Sequence, residues 1–381
     1  MRVLFLTHNY PRHAGDVAGA FLHPLAVALR NRNVEVQVIA PSDRGQDGDS
    51  VLDGVAVRRV RYAVSHRETL AYTGNMTTAL RSIGGFRAFT GMLEAFRREV
   101  HQEIRGRPDT VVHAHWWIPA GAALPAGVPS IITCHGTDVR LLDGAWPFRV
   151  IGARVLRRAS MVTAVSPTLA RTIARRTGRT LPDDQVQPMP VPVVERPRST
   201  GGGGLVVLGR LSAQKRIDLA LEAYAELRRT GLHMPMTIVG DGPVRSRLEA
   251  QSAALGLTDH VTFHGAVTPE QVPVALATAD CLVMPAHKEG LGLAAAEALI
   301  QGVPVVACED GGGVLDVVPS QGGGRIVAAT SEGLVQGIRS VLADPGAGEA
   351  AWRIGLAWRD LLSPDQVADR CMDWYRRVLA A

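Results

Sequence analysis

Residues 286–300 read Ala286-His-Lys-Glu-Gly-Leu-Gly-Leu-Ala-Ala-Ala-Glu-Ala-Leu-Ile300, and this stretch follows the apolar run Cys281-Leu-Val-Met284 and Pro285. An apolar run, a glycine turn and an alanine-rich segment predict a strand, a tight loop and a helix. The first amides of a helix have no intrahelical partner, and the helix dipole adds partial positive charge there, so such a start suits an anion. Gly290 and Gly292 let the backbone approach a phosphate closely. Glu289 would repel a phosphate and is expected to meet something neutral or cationic beside it, such as sugar hydroxyls. Glu297 lies about two turns down the helix, within reach of a further hydroxyl. A phosphate flanked by two polyols describes a nucleotide sugar.

Outward from that stretch, the second half repeats one pattern. Leu205-Val-Val-Leu208 leads into Gly209-Arg210-Leu-Ser212-Ala-Gln-Lys215-Arg216-Ile-Asp218 and a helix over 218–229, which Ser212 or Asp218 is placed to cap. Met236–Val239 leads into Gly240-Asp-Gly-Pro243 and a helix over 244–255. His260–Phe263, a helix over 269–277, Val303–Ala307 and Gly324–Ala328 continue the alternation, which predicts a parallel sheet covered by helices. Residues 349–360 and 365–379 read as helices, with Trp352, Trp358 and Trp374 available for packing.

The first half opens the same way. Strands are expected over 2–7, 34–39, 55–60, 110–115, 130–134 and 161–165. Helices are expected over 20–32, 76–105, 150–158 and 167–176. The loop after the first strand is not Gly-x-Gly-x-x-Gly, which counts against a dinucleotide-dependent dehydrogenase. In open α/β sheets ligands bind beyond the carboxyl ends of the strands, and His113, His115, His135 and Asp138 all fall near such ends. The three histidines come from separate strands without a tight ligand pattern, so no metal site is expected. Cys134 beside His135 is discounted as a nucleophile, because adjacent strand residues point to opposite faces. The 76–105 helix carries an apolar stripe through Ile83, Phe86, Phe89, Leu93 and Phe96. It is expected to be an outer helix of the sheet, with a membrane surface as the other reading.

The proline-rich Gln187–Pro197 and the run Gly201–Gly204 mark a domain boundary at mid-chain. The expected division is an N-terminal domain over 1–190, a C-terminal domain over 191–362, and a helix over 363–381 packing back towards the first. A length of 381 residues suggests two or three domains, and a 20% charged content is ordinary for a soluble globular protein. No apolar run approaches a membrane span, the short apolar N-terminus reads as a strand, and the four cysteines show no paired spacing. Cytoplasmic localisation is expected, with the inner membrane face as an alternative. The formal charge of +5 has no basic run interleaved with aromatics, so nucleic acid is not an expected partner. Of 41 Lys plus Arg, only Lys215 and Lys288 are lysines, and both lie beside glycine turns. A lysine kept against an arginine background suggests a need for a compact point charge.

Gly209-Arg210…Lys215, Gly240-Asp241-Gly242-Pro243, Phe263-His-Gly265 and Glu289-Gly-Leu-Gly…Glu297-Ala together resemble the GT-B fold retaining glycosyltransferases, and more narrowly glycosyltransferase family 4, group 1. The resemblance covers nearly the whole chain. In the first half it rests on Gly19-Ala-Phe-Leu-His23, His113-Ala-His-Trp-Trp-Ile-Pro-Ala-Gly121 and Thr133-Cys-His-Gly-Thr-Asp138. It implies an α/β GT-B fold, with two Rossmann-like domains whose parallel sheets face across a cleft. It also implies a hexosyl transfer from a nucleotide diphosphate sugar, a UDP-sugar being favoured, to a hydroxyl of a carbohydrate, lipid-linked or natural-product acceptor. Arg210 and Lys215 would hold the diphosphate, Glu289 the donor sugar, Glu297 the ribose, and His135 would lie by the reaction centre. Gly19, Gly209, Gly242, Gly290, Leu291 and Gly292 would border the donor, and His115, Asp138 and Gly15 the acceptor. No metal and no cofactor beyond the donor are expected. The chain departs from the family pattern at Ala18, at Arg216 where glycine is common, and at Asp316 where glutamate is common. A phosphorylase is disfavoured, since no lysine beyond the two is free for its cofactor. A nucleotide-sugar epimerase and a decayed nucleotide-sugar-binding partner protein are the rival readings.

Overall fold

The computed structural model describes residues 1–72, 76–192 and 198–381. It divides into two compact units, Met1–Val191 with Ser363–Ala381, and Pro192–Leu362. Of the expected proline-rich boundary, residues 193–197 lie outside the described residues.

The first unit is built on a seven-stranded sheet. Its strands are β1 (Arg2–Leu6), β2 (Glu35–Pro41), β3 (Gly48–Leu52), β4 (Val55–Val60), β5 (Thr110–His115), β6 (Ser130–Cys134) and β7 (Met161–Ala164), in the order β3-β4-β2-β1-β5-β6-β7. β1, β5, β6 and β7 are buried along their whole length, as strands covered by helices on both faces must be. The sheet is not wholly parallel, because β3 runs antiparallel to β4 at one edge. The sequence reading passed over β3, whose residues are almost all exposed and therefore carry no alternating apolar signal. Its turn was nevertheless readable. Asp53 and Gly54 both have positive φ (46° and 79°) and link Leu52 to Val55 by the two-residue turn that Asp-Gly favours.

The expected 76–105 helix is broken. Met76–Ala79 and Ile83–Ile104 are separate, and Ser82 caps the second by accepting a 3.0 Å bond from the Gly85 amide. The C-terminal helix Pro364–Ala380 packs on His23–Arg30 and on β5. Trp374 is buried there and donates to the Asp184 carbonyl at 2.9 Å, while Arg32 pairs with Asp365 (2.8 Å) and Asp369 (2.6 Å).

The second unit has six parallel strands: β8 (Leu205–Leu208), β9 (Met236–Val239), β10 (Val261–Gly265), β11 (Cys281–Met284), β12 (Val305–Cys308) and β13 (Gly324–Val327). Their order is β10-β9-β8-β11-β12-β13. The helix Ser331–Leu342 went unread in the sequence, although Thr330 caps it and Leu334, Ile338 and Val341 form its buried stripe. Gly337 lets it lie close to the sheet, since a Cβ there would meet Val327 at 2.7 Å. The helix expected over 218–229 starts at Ile217, and neither Ser212 nor Asp218 caps it. Arg216 sits at its N-cap in the left-handed conformation (φ 46°), and Asp218 falls within the first turn.

Candidate active site

Both strand orders reverse direction once. In the second unit the chain winds from β8 outward through β9 to β10, then restarts at β11 and runs the other way. The loops after β8 and β11 therefore diverge around a crevice at the carboxyl edge, where open α/β sheets bind ligands. The loop after β8 carries Gly209 to Lys215, and the loop after β11 carries Glu289 to Gly292.

The reversal places Lys215 Nζ 3.0 Å from Glu289 Oε1, with both side chains largely buried (20% and 14% exposed). Gln214 joins them, its amide donating to Glu289 Oε1 at 3.2 Å and to the Lys288 carbonyl at 3.3 Å. The His287 amide donates in turn to the Gln214 carbonyl at 2.9 Å. Glu289 is thus paired with the Lys215 ammonium. The helix Leu293–Ile300 opens at Gly292, whose φ of 89° demands glycine and whose Cβ would lie 2.7 Å from Val314. Leu291 is buried beneath the turn, and Glu297 is a half-buried residue on the helix. Arg210 follows Gly209 at the exposed rim.

Gly209 has φ 142°, and a Cβ on it would sit 3.3 Å from Lys215 Cε. A Cβ on Gly242 would fall 2.2 Å from the Leu211 carbonyl oxygen, so Gly242 is required by its packing on the neighbouring loop.

Three residues that the sequence reading did not select complete this frame. Asp310, after β12, accepts two bonds from Arg216 (2.9 and 2.6 Å) and one from His287 (2.9 Å). Burial works to raise the Asp310 pKa, but the Arg216 and His287 bonds prevail and hold it below its ordinary value. Gly312 and Gly313 lie against residues 288–291. The Gly313 amide donates to the Glu289 carbonyl at 2.9 Å, and a Cβ on Gly313 would come within 2.0 Å of the Gly290 carbonyl oxygen.

The first unit repeats the arrangement between β1 and β5, where its strand order reverses. The loop after β1 holds His8, Asn9, Gly15 and Gly19. Gly19 is buried at φ 67°, and a Cβ there would overlap the Asn9 carbonyl at 2.2 Å. Gly15 is an exposed turn residue at φ 82°. After β5, Trp116 takes an uncommon left-handed conformation (φ 69°). Its ring lies 4.4 Å from that of His135 and 4.5 Å from that of His8, with Phe21 adjoining both Trp116 and His135. Burial lowers the His8 pKa to about 4 and that of His135 well below its ordinary value, so both rings are neutral at pH 7. His8 Nδ1, Asn9 Oδ1 and His115 Nε2 are buried polar atoms without a partner among the described residues.

Two expected acceptor contacts are corrected here. His115 is fully buried, stacks on His113 at 4.4 Å and shares a 3.1 Å hydrogen bond with His135 Nε2, so it supports His135 from behind. Asp138 is also buried, and its carboxylate accepts from the amides of Trp117 (3.0 Å), His135 (3.1 Å) and Gly136 (2.9 Å). Those bonds pin the loops after β5 and β6 together. Burial dominates them and raises its pKa. His113 is tied to Tyr375 (2.8 Å) and Thr133 (2.7 Å), which anchors the C-terminal helix. Among the described residues no group of three or more His, Cys, Asp or Glu is placed to hold a metal ion. Cys134 is buried, and burial pushes its pKa well up, so it offers no thiolate.

Comparisons with known proteins bear on both units. Residues 198–355 match the model of the glycosyl transferases group 1, and residues 18–192 match a glycosyl transferase 4-like domain. A 2-deoxystreptamine glucosyltransferase of Streptomyces kanamyceticus is 31% identical over 296 residues, 69% of this chain and 75% of that protein. The glycogen synthase of Mycobacterium tuberculosis is 28% identical over 393 residues, covering 96% of this chain and 91% of its own. Among solved structures, the Anabaena protein HepE in complex with UDP-glucose superposes with a TM-score of 0.70 at 17% identity. The match covers 99% of this chain and 100% of that one, and shows the GT-B fold.

Proposed function

Since the chain belongs to the group 1 glycosyltransferases, we propose that it moves a hexosyl group from a nucleotide diphosphate sugar to an acceptor hydroxyl, with anomeric configuration retained and without a metal ion. The observation that carries this reading is the Lys215–Glu289 pair, 3.0 Å apart beside the helix start at Gly292. A UDP-sugar is the favoured donor, supported by the UDP-glucose held by the HepE structure.

Departure of the nucleoside diphosphate leaves an oxocarbenium-like sugar and places negative charge on the diphosphate. Lys215 and Arg210 offset that charge together with the amides at Gly292 and Leu293. Charges fixed before the reaction stabilise a transition state without reorganising during it. Glu289, held by Lys215 and Gln214, accepts from donor sugar hydroxyls, and Glu297 from the ribose. The acceptor hydroxyl forms the new glycosidic bond as the old sugar–phosphate bond breaks, and its proton passes to the leaving phosphate oxygen. His135 is neutral and offers a hydrogen bond to the sugar rather than a charge.

Loss of one such pre-placed charge is expected to lower kcat by about 10²–10³. Lys215→Ala and Glu289→Ala should each lower transfer by about that factor while leaving the thermal transition of the folded protein in place. A panel of nucleotide sugars screened by thermal shift supplies the donor for that assay. Unchanged turnover in both variants would defeat the assignment.

A further inference from the structure

The loop after β1 ends in a short helical turn, Ala20–Leu22, which carries Phe21. The Phe21 side chain is half-buried. Its ring lies 5.8 Å from that of Trp116 and 5.3 Å from that of His135, and the remainder of it meets solvent. A single exposed apolar residue needs no explanation. This one leans on Trp116, whose φ of 69° is an outlier for so bulky a side chain. Strained backbone of that kind persists where the surroundings over-determine it, and it clusters at ligand sites.

Phe21 is also held on both sides. Before it in sequence, Arg12 donates to Asp16 and to Asp43, each at 2.6 Å, and stands 5.0 Å from the centre of the Tyr72 ring. Asp16 accepts in turn from the Ala18 amide at 3.1 Å, and Gly19 is packed against the Asn9 carbonyl. After it, His23 is bonded to the Tyr10 hydroxyl at 2.7 Å and to Asp53 at 2.8 Å. The ring is thus placed before any ligand arrives, and a pre-placed contact loses little entropy on binding.

The same bonds engage the charges of these loops. Arg12 is taken up by two carboxylates, His23 by Asp53, and Asp138 by three amides. Burial keeps His8 and His135 uncharged at pH 7. The surface beside His135 is therefore aromatic and neutral, unlike the lysine-bearing loops of the second unit. A phosphate or carboxylate calls for a cation, and Arg12 is already engaged. The C–H face of a pyranose or cyclitol ring carries partial positive charge and suits the negative face of an aromatic ring. We propose that Phe21 determines acceptor specificity, its ring stacking on the C–H face of an uncharged pyranose or cyclitol whose hydroxyl receives the sugar. The inference rests on the transfer reading, which puts His135 at the reaction centre. It adds a binding contact to that reaction and leaves the bonds made and broken as they are.

Kinetics on the full chain test it, with the donor found by thermal shift. The acceptors are methyl glucoside and myo-inositol as neutral rings, sorbitol as an open chain, and inositol monophosphate as a charged ring. Transfer to the neutral rings should far exceed transfer to the other two. Phe21→Leu keeps an apolar side chain against Trp116 but removes the aromatic face. It should raise KM for the ring acceptors about fivefold to tenfold with little change in kcat. Phe21→Trp should hold KM near that of the unaltered chain, and the donor-induced thermal shift should be the same in all three proteins. Ring acceptors no better than sorbitol or inositol monophosphate, a KM unmoved by leucine, or a tryptophan variant as poor as leucine would overturn the proposal. So would a donor-induced shift that falls in step with KM, because Phe21 would then only support the fold. Transfer to none of the rings while the donor still binds would overturn it too. A chain that no nucleotide sugar stabilises would instead remove the transfer reading, and this inference with it.

Discussion

Arg216 shows how one residue can hold two contrary demands. Its backbone is left-handed (φ 46°), a conformation that costs a side-chain-bearing residue about 1 kcal/mol. Glycine, common at this position in the family the sequence resembles, would avoid that cost. The chain keeps arginine because its guanidinium grips Asp310 with two bonds and donates a third, 2.8 Å long, to the Pro285 carbonyl. The loop after β8 is thereby tied to those after β11 and β12, which fixes Lys215 beside Glu289. Arg216→Ala should lose the bonds and keep the strain, destabilising the protein by about 1–2 kcal/mol after allowance for partial exposure. Arg216→Gly should lose the same bonds but relieve the strain, and so cost less than alanine. Urea denaturation of the two variants checks the order, and an alanine variant equal to or more stable than the glycine variant would contradict it.

At the scale of elements, legibility followed burial. Val55–Val60, Thr110–His115, Ser130–Cys134, Leu205–Leu208, Met236–Val239 and Cys281–Met284 were readable to the residue, because each is a short apolar run bounded by turn formers. Exposed β3 offered no such run, and Ser331–Leu342 was passed over although its cap and stripe were present. The Lys215 and Glu289 loops were legible from their glycines and rare lysine. Asp310 and Gly313 were not, because their importance comes from β12 lying next to β11, and strand order is not written in local sequence. The same gap led to Asp138 and His115 being read as acceptor contacts. A strand end marks a residue as near the crevice, but burial decides whether it faces a substrate or its own backbone. The Gly313 contact gives a sharp test of the β11–β12 link. Its hypothetical Cβ meets a carbonyl oxygen at 2.0 Å, and backbone cannot swing aside as a side chain can. Gly313→Ala should destabilise by about 1–3 kcal/mol and depress donor binding, because the 288–292 loop must move. A variant with native stability and native donor-induced thermal shift would show that the two loops are not mechanically coupled.

For the whole molecule, the distribution of titratable groups predicts how stability depends on pH. The first unit holds four histidine rings around β1, β5 and β6, of which His113 and His115 are fully buried and His8 and His135 half-buried. Burial lowers His8 to about 4 and His113 to about 3, and pushes His115 and His135 well below the ordinary value of 6.5. In the unfolded chain these rings take up protons as pH falls through 6.5, while the folded chain refuses them until far lower. The unfolded state then binds more protons, so stability falls as pH falls. Each unit of pH below 6.5 costs up to about 1.4 kcal/mol per histidine. Asp138 acts in the opposite sense. Burial raises its folded pKa, so the native state gains as it is protonated, but one carboxyl does not offset four imidazoles. Asp16, Glu68 and Glu103 are held below their ordinary values despite burial, Asp16 by Arg12, Glu68 by the Gly45 amide and Arg61, and Glu103 by Arg2, and their contributions are lost only at lower pH. The urea midpoint, followed by tryptophan fluorescence, should therefore drop between pH 7 and pH 5, by at least about 2 kcal/mol in unfolding free energy. His113→Gln keeps a hydrogen-bonding side chain between Tyr375 and Thr133 but removes a titrating group, so it should lower stability at pH 7 and flatten the slope towards pH 5. A midpoint independent of pH over that window would mean that the four rings are hydrated in solution, and that the neutral His135 invoked for sugar binding is wrong with them.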